Sequence, residues 1–432
     1  MCARLLHGAF AKLRPLLLLL LAGMSRSAAF AGAFGRRQGA PAELTDAAAA
    51  APRVDLPPLA SPRVERGIAT CLPARAIGTY TLLVAELRKL GCTLPIVVYH
   101  YEGEYSAADL ARARRIDAQT TVAVLRKDPR LSVGDFAHRY SGVSAERAMG
   151  FACKPLALMQ APFHEVMLMD YDVLFLRNPQ QLFASKGFAR TGTLFFFDRP
   201  NFGSKRETRR FRRFLDRSLP KLCASARRGF GHLPAVGDAG QAGCPSAFLR
   251  ASGTWAEGRF MGESGVALVS KRRQPRMLAV LRASYLQIMR VTYGDKESFW
   301  LAAEIAGSAY AFSDFAAGFY AAARAPGYVA LSPQQLDRGE QYLCAADLAH
   351  FHPDSGDVMF FHGDMLKVNY KDAAFLPKYV TLAQAKRVPT RHLGGWWCEE
   401  AATRPLDDKE TAAISARRAN AQRLSPAATT KA

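Results

Sequence analysis

Residues 165–179 read EVMLMDYDVLFLRNP: an apolar run, two aspartates one residue apart, more apolar chain, and a proline. The unbroken apolar run predicts a strand buried on both faces, as in a parallel sheet covered by helices. Asp170 and Asp172 stand where that strand ends. In sheets of this kind ligands bind outside the carboxyl ends of the strands, so the pair is the first candidate for chemistry. The D-x-D spacing puts both side chains on one side of an extended segment. Two such carboxylates suit one hard divalent cation, with a diphosphate completing its shell.

The flanking chain supports that sheet. GIATCLP (67–73) reads as a short buried strand. A helix over 75–90 follows, with Ile77, Tyr80, Leu83, Val84, Leu87 and Leu90 in helical register and Gly91 as stop. Strands at 95–100 and 120–125, a helical segment between them and a helix over 145–160 lead into the D-x-D strand. Further strands are expected at 191–198, 265–270 and 357–362, and helices at 206–219, 274–290 and 295–307. Apolar strands alternating with helices predict an α/β fold with a mostly parallel central sheet and helices on both faces. The helix at 206–219 (RETRRFRRFLDRSL) is strongly basic, which is more often a solvated face than a site.

Composition bounds the function. The chain has 432 residues, 49% apolar and 22% charged, with a formal charge of +21. This is a globular composition, and its charge favours phosphates or anionic lipid. No finger, knuckle or aromatic ribonucleoprotein motif accompanies the charge, so no nucleic-acid partner is expected. Basic residues, an apolar stretch at 16–24 and small residues at 27–32 have the order of a secretory signal. The apolar part is short for a membrane span, so a cleaved signal and a signal-anchor both stand. The expected organisation is a leader at 1–31, an Ala/Pro-rich stem at 32–65, one catalytic domain at 66–400 and a frayed polar tail at 401–432. Seven cysteines lie beyond the leader, none in C-x-x-C spacing, and Cys71 and Cys153 read as buried thiols. No Asn has Ser or Thr two places on, so no ordinary N-glycan is expected.

A second segment, FFHGDMLK (360–367), offers partners for the aspartates. His362 at a strand end suits a Mn²⁺-like ion, although a hydrogen-bonded strand-end histidine is an equal alternative. Lys367 can neutralise phosphate.

The resemblance to a family rests on four blocks. GIATCLPARAIGTYTLLVAELRKLGCTLPIVVYHY (67–101), FACKPLALMQAPFHEVMLMDYDVLFLRNPQQLF (151–183), ESGVALVSKRR (263–273) and YGDKESFWLAAEIAG (293–307) stand in this order. Together they resemble the fungal-type α-mannosyltransferases, the α-1,3-mannosyltransferases of glycoprotein mannan synthesis, over about 66–370. The resemblance implies a GT-A-like nucleotide-diphospho-sugar transferase fold, transfer with retention, and GDP-mannose as donor, with a UDP-sugar the alternative. It implies a glycan or glycoprotein acceptor, Mn²⁺ or another divalent cation at Asp170 and Asp172, with His362 the further metal ligand read above from its own segment, and a Golgi-lumenal type II membrane protein or its secreted form. Lys154, Asp170, Asp172, Glu263, Ser264 and Gly265 are then the donor-binding set, which Lys367 joins from the reading of its own segment. Asp295, Lys296 and Glu297 are the catalytic set, opening a helix beside the anomeric carbon. Helix capping is the competing account of Asp295 and Glu297, since helix N-termini favour acidic side chains. Glu263 stands where relatives often carry a Gln-Asp or similar pair, and 198–262 matches no block.

Two other classes compete. Phosphatases of the haloacid dehalogenase type also begin D-x-D after an apolar strand and use the first Asp as nucleophile, but on the first strand of the domain. A non-catalytic sugar-binding module with Trp396 and Trp397 as a stacking platform is the third.

Overall fold

The computed structural model describes residues 64–126, 128, 145–199, 205–228, 244–252, 261–292, 294–321, 342–345, 347–367, 377–385, 390–393, 396–400 and 403–424. The leader and all but the end of the stem lie outside them. The strands are β1 (Val64–Cys71), β2 (Ile96–Tyr101), β3 (Thr120–Leu125), β4 (Phe163–Met169), β5 (Val173–Phe175), β6 (Thr193–Phe197), β7 (Gly262–Ser270), β8 (Gly318–Ala321), β9 (Tyr342–Ala345), β10 (Leu348–Phe351), β11 (Val358–His362), β12 (Tyr379–Thr381), β13 (Thr390–Leu393), β14 (Trp396–Glu400) and β15 (Thr403–Pro405). The α-helices are α1 (Ile77–Lys89), α2 (Ala107–Arg114), α3 (Ala145–Gln160), α4 (Lys186–Thr191), α5 (Lys205–Arg213), α6 (Leu219–Arg228), α7 (Ala247–Ala251), α8 (Pro275–Met289), α9 (Ser298–Ala306) and α10 (Asp408–Arg423).

The first sheet has the order β3-β2-β1-β4-β7-β6. Strands β3, β2, β1 and β4 are parallel, while β7 opposes both β4 and β6. The sheet is therefore mixed through one reversed strand, and otherwise parallel as expected. Alternate residues feed two cores. Ala69, Val97, Val166 and Leu168 pack with α3, α8 and α9. Ile68, Val98, Met167 and Met169 pack with α1. Burial on both faces is why these strands carry no polar alternation.

A second sheet, β15-β12-β8-β10-β11-β5, is antiparallel in its described pairings. A small third sheet has the order β13-β14-β9. The first two sheets share a connection: β4 ends at Met169 in the first, and β5 begins at Val173 in the second. The chain steps from one sheet to the other through Asp170, Tyr171 and Asp172.

Two expectations need correction. Cys71 and Cys153 are not thiols but a disulfide from the end of β1 to α3, with Cα atoms 6.1 Å apart. A second disulfide joins Cys223 to Cys244, and Cys92 is buried and free. The apolar neighbours of Cys71 and Cys153 are those of a buried bridge, which sequence context alone does not separate from a buried thiol. The tail at 401–432 is not frayed over 403–424: it forms β15 and α10. Helix α10 starts with a reciprocal capping box between Asp407 and Glu410 and buries Ile414, Ala421, Arg417 and Arg418. Its inward face includes two arginines, so its apolar periodicity is faint.

Removing the first disulfide tests how far it holds β1 to α3. In the chain-entropy account, closing a loop of sequence separation 82 stabilises by roughly 4 kcal/mol. The Cys71→Ser, Cys153→Ser double variant should keep its far-ultraviolet dichroism and unfold at a clearly lower denaturant concentration. Non-reducing peptide mapping of the wild type should yield the Cys71–Cys153 cross-linked peptide.

Candidate active site

The site forms where the chain crosses between sheets. The Asp170 amide donates to the Gly265 carbonyl of β7 at 2.8 Å, and the Gly363 amide donates to the Asp172 carbonyl at 3.2 Å. Tyr171 and Asp172 lie in a turn. The two carboxylates thus converge through a turn, not along an extended segment as the spacing suggested. Antiparallel pairing of β11 with β5 sets His362 opposite Val173. Ligand atoms of Asp170, Asp172 and His362 all lie within 4.8 Å of one another. Two carboxylate oxygens and an imidazole nitrogen at this separation fit a borderline divalent ion such as Mn²⁺. Gly265 makes the convergence sterically feasible: a Cβ there would sit 2.6 Å from His362 Nδ1.

Charge alternates through the cluster. The His362 ring lies 3.3 Å from Asp172, 3.7 Å from Asp170 and 3.6 Å from Glu263. Burial alone would lower its pKa, but Glu263, Asp172 and Asp170 outweigh burial and raise it to about 9. Burial pushes Asp170 up to about 6 against the pull of Lys154. Burial acts the same way on Asp172, but His362 and Lys367 outweigh it and hold this carboxyl below the usual range.

Lysines tie the acidic residues to the scaffold. Lys154, on α3, donates to Asp170 Oδ2 at 2.8 Å and to the Ser264 carbonyl and hydroxyl at 2.9 and 3.0 Å. Its Nζ is also 3.5 Å from Asp295 Oδ2, an oxygen that is buried with no hydrogen-bond partner among the described residues. Lys296 donates to Asp198 at 2.8 Å and to Glu263 at 2.6 Å. Glu263 also accepts from the Ser264 and Gly265 amides. Burial is the largest influence on Glu263 and favours the neutral acid, yet Lys296 and His362 hold its pKa well below the ordinary value. On the other flank Lys367 lies 3.0 Å from Asp172. Its turn is shaped by Asp347, which accepts from the Asp364 and Met365 amides at 2.6 and 3.2 Å. A Cβ at Gly363 would overlap the Asp347 carboxylate.

The structure divides the expected catalytic set. Asp295 and Lys296 face the cluster. Glu297 does not: one oxygen accepts from the Met261 and Gly262 amides at 2.9 and 2.8 Å, and the other from Trp300 Nε1 at 2.6 Å. Glu297 occupies the N-cap position of α9, yet its side chain makes no capping bond. It clamps the start of β7 instead, so neither account offered for it from sequence describes its contacts. Asp198 and Asp347 were missed. Asp198 ends TGTLFFFD (191–198) as Asp170 ends EVMLMD (165–170), so the same strand-then-acid pattern could have found it. No local pattern announces Asp347. The side chains of Trp396 and Trp397 lie outside the described residues.

These contacts separate Glu297 from Asp295 in stability. Glu297→Gln sets an amide donor against a donor already there, and unpairing a buried group costs about 1–3 kcal/mol. It should lower the denaturation midpoint clearly. Asp295→Asn should stay within roughly 1 kcal/mol of the wild type, because Lys154 retains Asp170 and Ser264.

The model of a protein family described as "Mannosyltransferase putative" matches residues 65–352. Among curated relatives, "Putative alpha-1,3-mannosyltransferase MNN15" of Candida albicans is 31% identical over 177 residues, covering 39% of this chain and 21% of that protein. "Putative alpha-1,3-mannosyltransferase MNN14" of the same organism is 22% identical over 335 residues, covering 71% of this chain and 44% of its own length. The chain thus spans less than half the length of these relatives. Solved structures of similar shape include the galactosyltransferase LgtC with donor and acceptor sugar analogues, at 14% identity and a TM-score of 0.34 over 58% of this chain and 74% of that one. Core-mannan synthase A of Aspergillus fumigatus in its Mn/GDP form is another, at 11% identity and a TM-score of 0.34 over 57% and 71%. On the family match, which takes in the D-x-D turn, Lys154 and the 263–307 blocks, the chain belongs to this mannosyltransferase family.

Proposed function

We propose that the chain is a metal-dependent, retaining α-mannosyltransferase that moves mannose from GDP-mannose to a glycan or glycoprotein acceptor. The observation that carries this reading is the convergence of Asp170, Asp172 and His362 at the crossing between sheets, with Lys154 and Lys367 on either side. A divalent cation held by those three residues would neutralise the diphosphate as it departs, which supplies several kcal/mol. The chain's own groups do the remainder. Lys154 fixes the Asp170 carboxylate. Lys367, a third exposed, reaches toward phosphate oxygens. Asp295, buried and lacking a hydrogen bond at Oδ2 among the described residues, supports positive charge developing on the sugar. Lys296 keeps Asp198 and Glu263 in register with the cluster.

The dehalogenase-type phosphatase reading fits less well. The D-x-D follows β4 rather than the first strand, and Asp170, its nucleophile, is already engaged by Lys154. The basic leader and its apolar stretch support a secretory-pathway location, Golgi-lumenal and anchored or secreted after cleavage. No helix among the described residues is long and apolar enough to cross a membrane.

A donor screen with Mn²⁺ and a mannose-terminated oligosaccharide tests the proposal. GDP release from GDP-mannose should depend on the acceptor and vanish in EDTA. Asp172→Asn should still fold but lose most turnover, with a melting temperature lowered because His362 and Lys367 lose a buried partner, and Asp295→Asn should lose about 10²-fold. Full activity in EDTA would remove the metal from the reading, and release of UDP from a UDP-hexose alone would replace the donor.

A further inference from the structure

Helix α10 lies beyond the residues that the family model matches, 65–352, yet its most deeply buried polar group points into the foundations of the site. Arg417 has no exposed surface. A guanidinium is costly to bury unless its donors are used, and these are. Nε donates to Glu86 of α1 at 2.7 Å, and Nη2 reaches the second oxygen of the same carboxylate. Nη2 also donates to the Val173 carbonyl at 2.9 Å, and Nη1 to the Leu366 carbonyl at 3.4 Å. The neighbouring Arg418 donates to the Met365 carbonyl at 3.2 Å.

The identity of those carbonyls matters more than their number. Val173 directly follows Asp172, and Leu366 directly precedes Lys367. Asp172 and Lys367 are the two residues that meet at 3.0 Å on the flank of the cluster. One rigid, planar group therefore fixes the backbone beside both. Through Glu86 it also anchors them to α1, which packs on the first sheet. Arg417 thus ties α1 to the chain on both sides of the Asp172–Lys367 contact. Apolar packing would fill the same volume without setting the relative position of the two carbonyls, whereas the guanidinium fork has fixed geometry.

We infer that Arg417 is a positioning residue for the cation and phosphate site, and that α10 is part of the donor site rather than an appendage; this rests on the donor-site reading above. Arg417 touches neither cation nor sugar. It acts by holding Asp172 and Lys367 at the separation the site requires. Partners outside the ligand shell typically carry 10–100-fold of metal affinity.

The test uses the full chain and Mn²⁺ alone, followed through the electron paramagnetic resonance signal of the free ion. Arg417→Lys keeps the charge opposite Glu86 but cannot reach both carbonyls. It should bind Mn²⁺ about 10-fold more weakly at a temperature well below its melting point. Its kcat should recover at saturating Mn²⁺, a split that a purely structural role would not produce. The Glu86→Gln, Arg417→Met double variant removes the ion pair as a unit and should show the same weakening, so the inference stands open to test even if the lysine variant does not fold. Wild-type Mn²⁺ affinity in either folded variant overturns the inference alone. A wild-type protein that binds no Mn²⁺ overturns the donor-site reading and this inference with it.

Discussion

Carboxylates cannot be crowded into a protein interior unless positive charge is placed between them. Asp170, Asp172, Glu263, Asp198 and Asp295 all lie around one crossing of the chain, and four of the five are at least nine-tenths buried. Each is approached by a cation: Lys154 beside Asp170 and Asp295, Lys296 between Asp198 and Glu263, Lys367 beside Asp172, and His362 among Asp170, Asp172 and Glu263. Removing one partner of a buried pair leaves an uncompensated charge, which costs more than the pair contributes. The cluster is thus interdependent. It explains why elements far apart in the chain, from α3 to the turn after β11, must meet at one place.

The two sheets serve that meeting differently. The first is a buried scaffold whose strands deliver Asp170 and Asp198 at their ends and run Glu263 and Gly265 past them on the reversed strand β7. The second, joined through β5, brings His362 in by register and Lys367 by a turn that Asp347 shapes. Neither sheet holds a complete site. Asp170 and Asp172, between the sheets, and His362, from the second, form the candidate cation site, so its geometry depends on how firmly the sheets are fastened to each other. The Asp170–Asp172 turn is one fastening, and the contacts of Arg417 with Glu86, Val173 and Leu366 are another.

Several positions act through space rather than through chemistry. Gly265 admits the His362 ring, and Gly363 admits the Asp347 carboxylate. Glu297 holds the entry of β7 by two backbone amides and the Trp300 indole. Such residues sit within motifs that look catalytic, because a motif records everything needed at a site and not only the groups that react.

How much of this was legible in sequence follows from the range of each interaction. Strands β1, β2 and β4 and the Asp170–Asp172 pair were visible, because burial of both sheet faces writes an unbroken apolar pattern into consecutive residues. The edge strand β3 was visible from its β-branched run, and helices α1, α3, α8 and α9 from apolar stretches of helical length. His362 and Lys367 were legible as candidates because they stand in one short motif at a strand's end, and Lys154 only through the resemblance of its helix to the family's block. The sequence by itself thus determined the α/β layering, the strand that carries the aspartates and the residue types available for a divalent cation. Tertiary structure alone decided which acids were bound into the scaffold and which faced the cluster, that Cys71 and Cys153 were bridged, and that a polar tail folded back with a buried arginine. Those outcomes depend on pairings between residues tens to hundreds of positions apart. No local pattern encodes such a pairing, since the energy that selects it exists only once both partners have left water together.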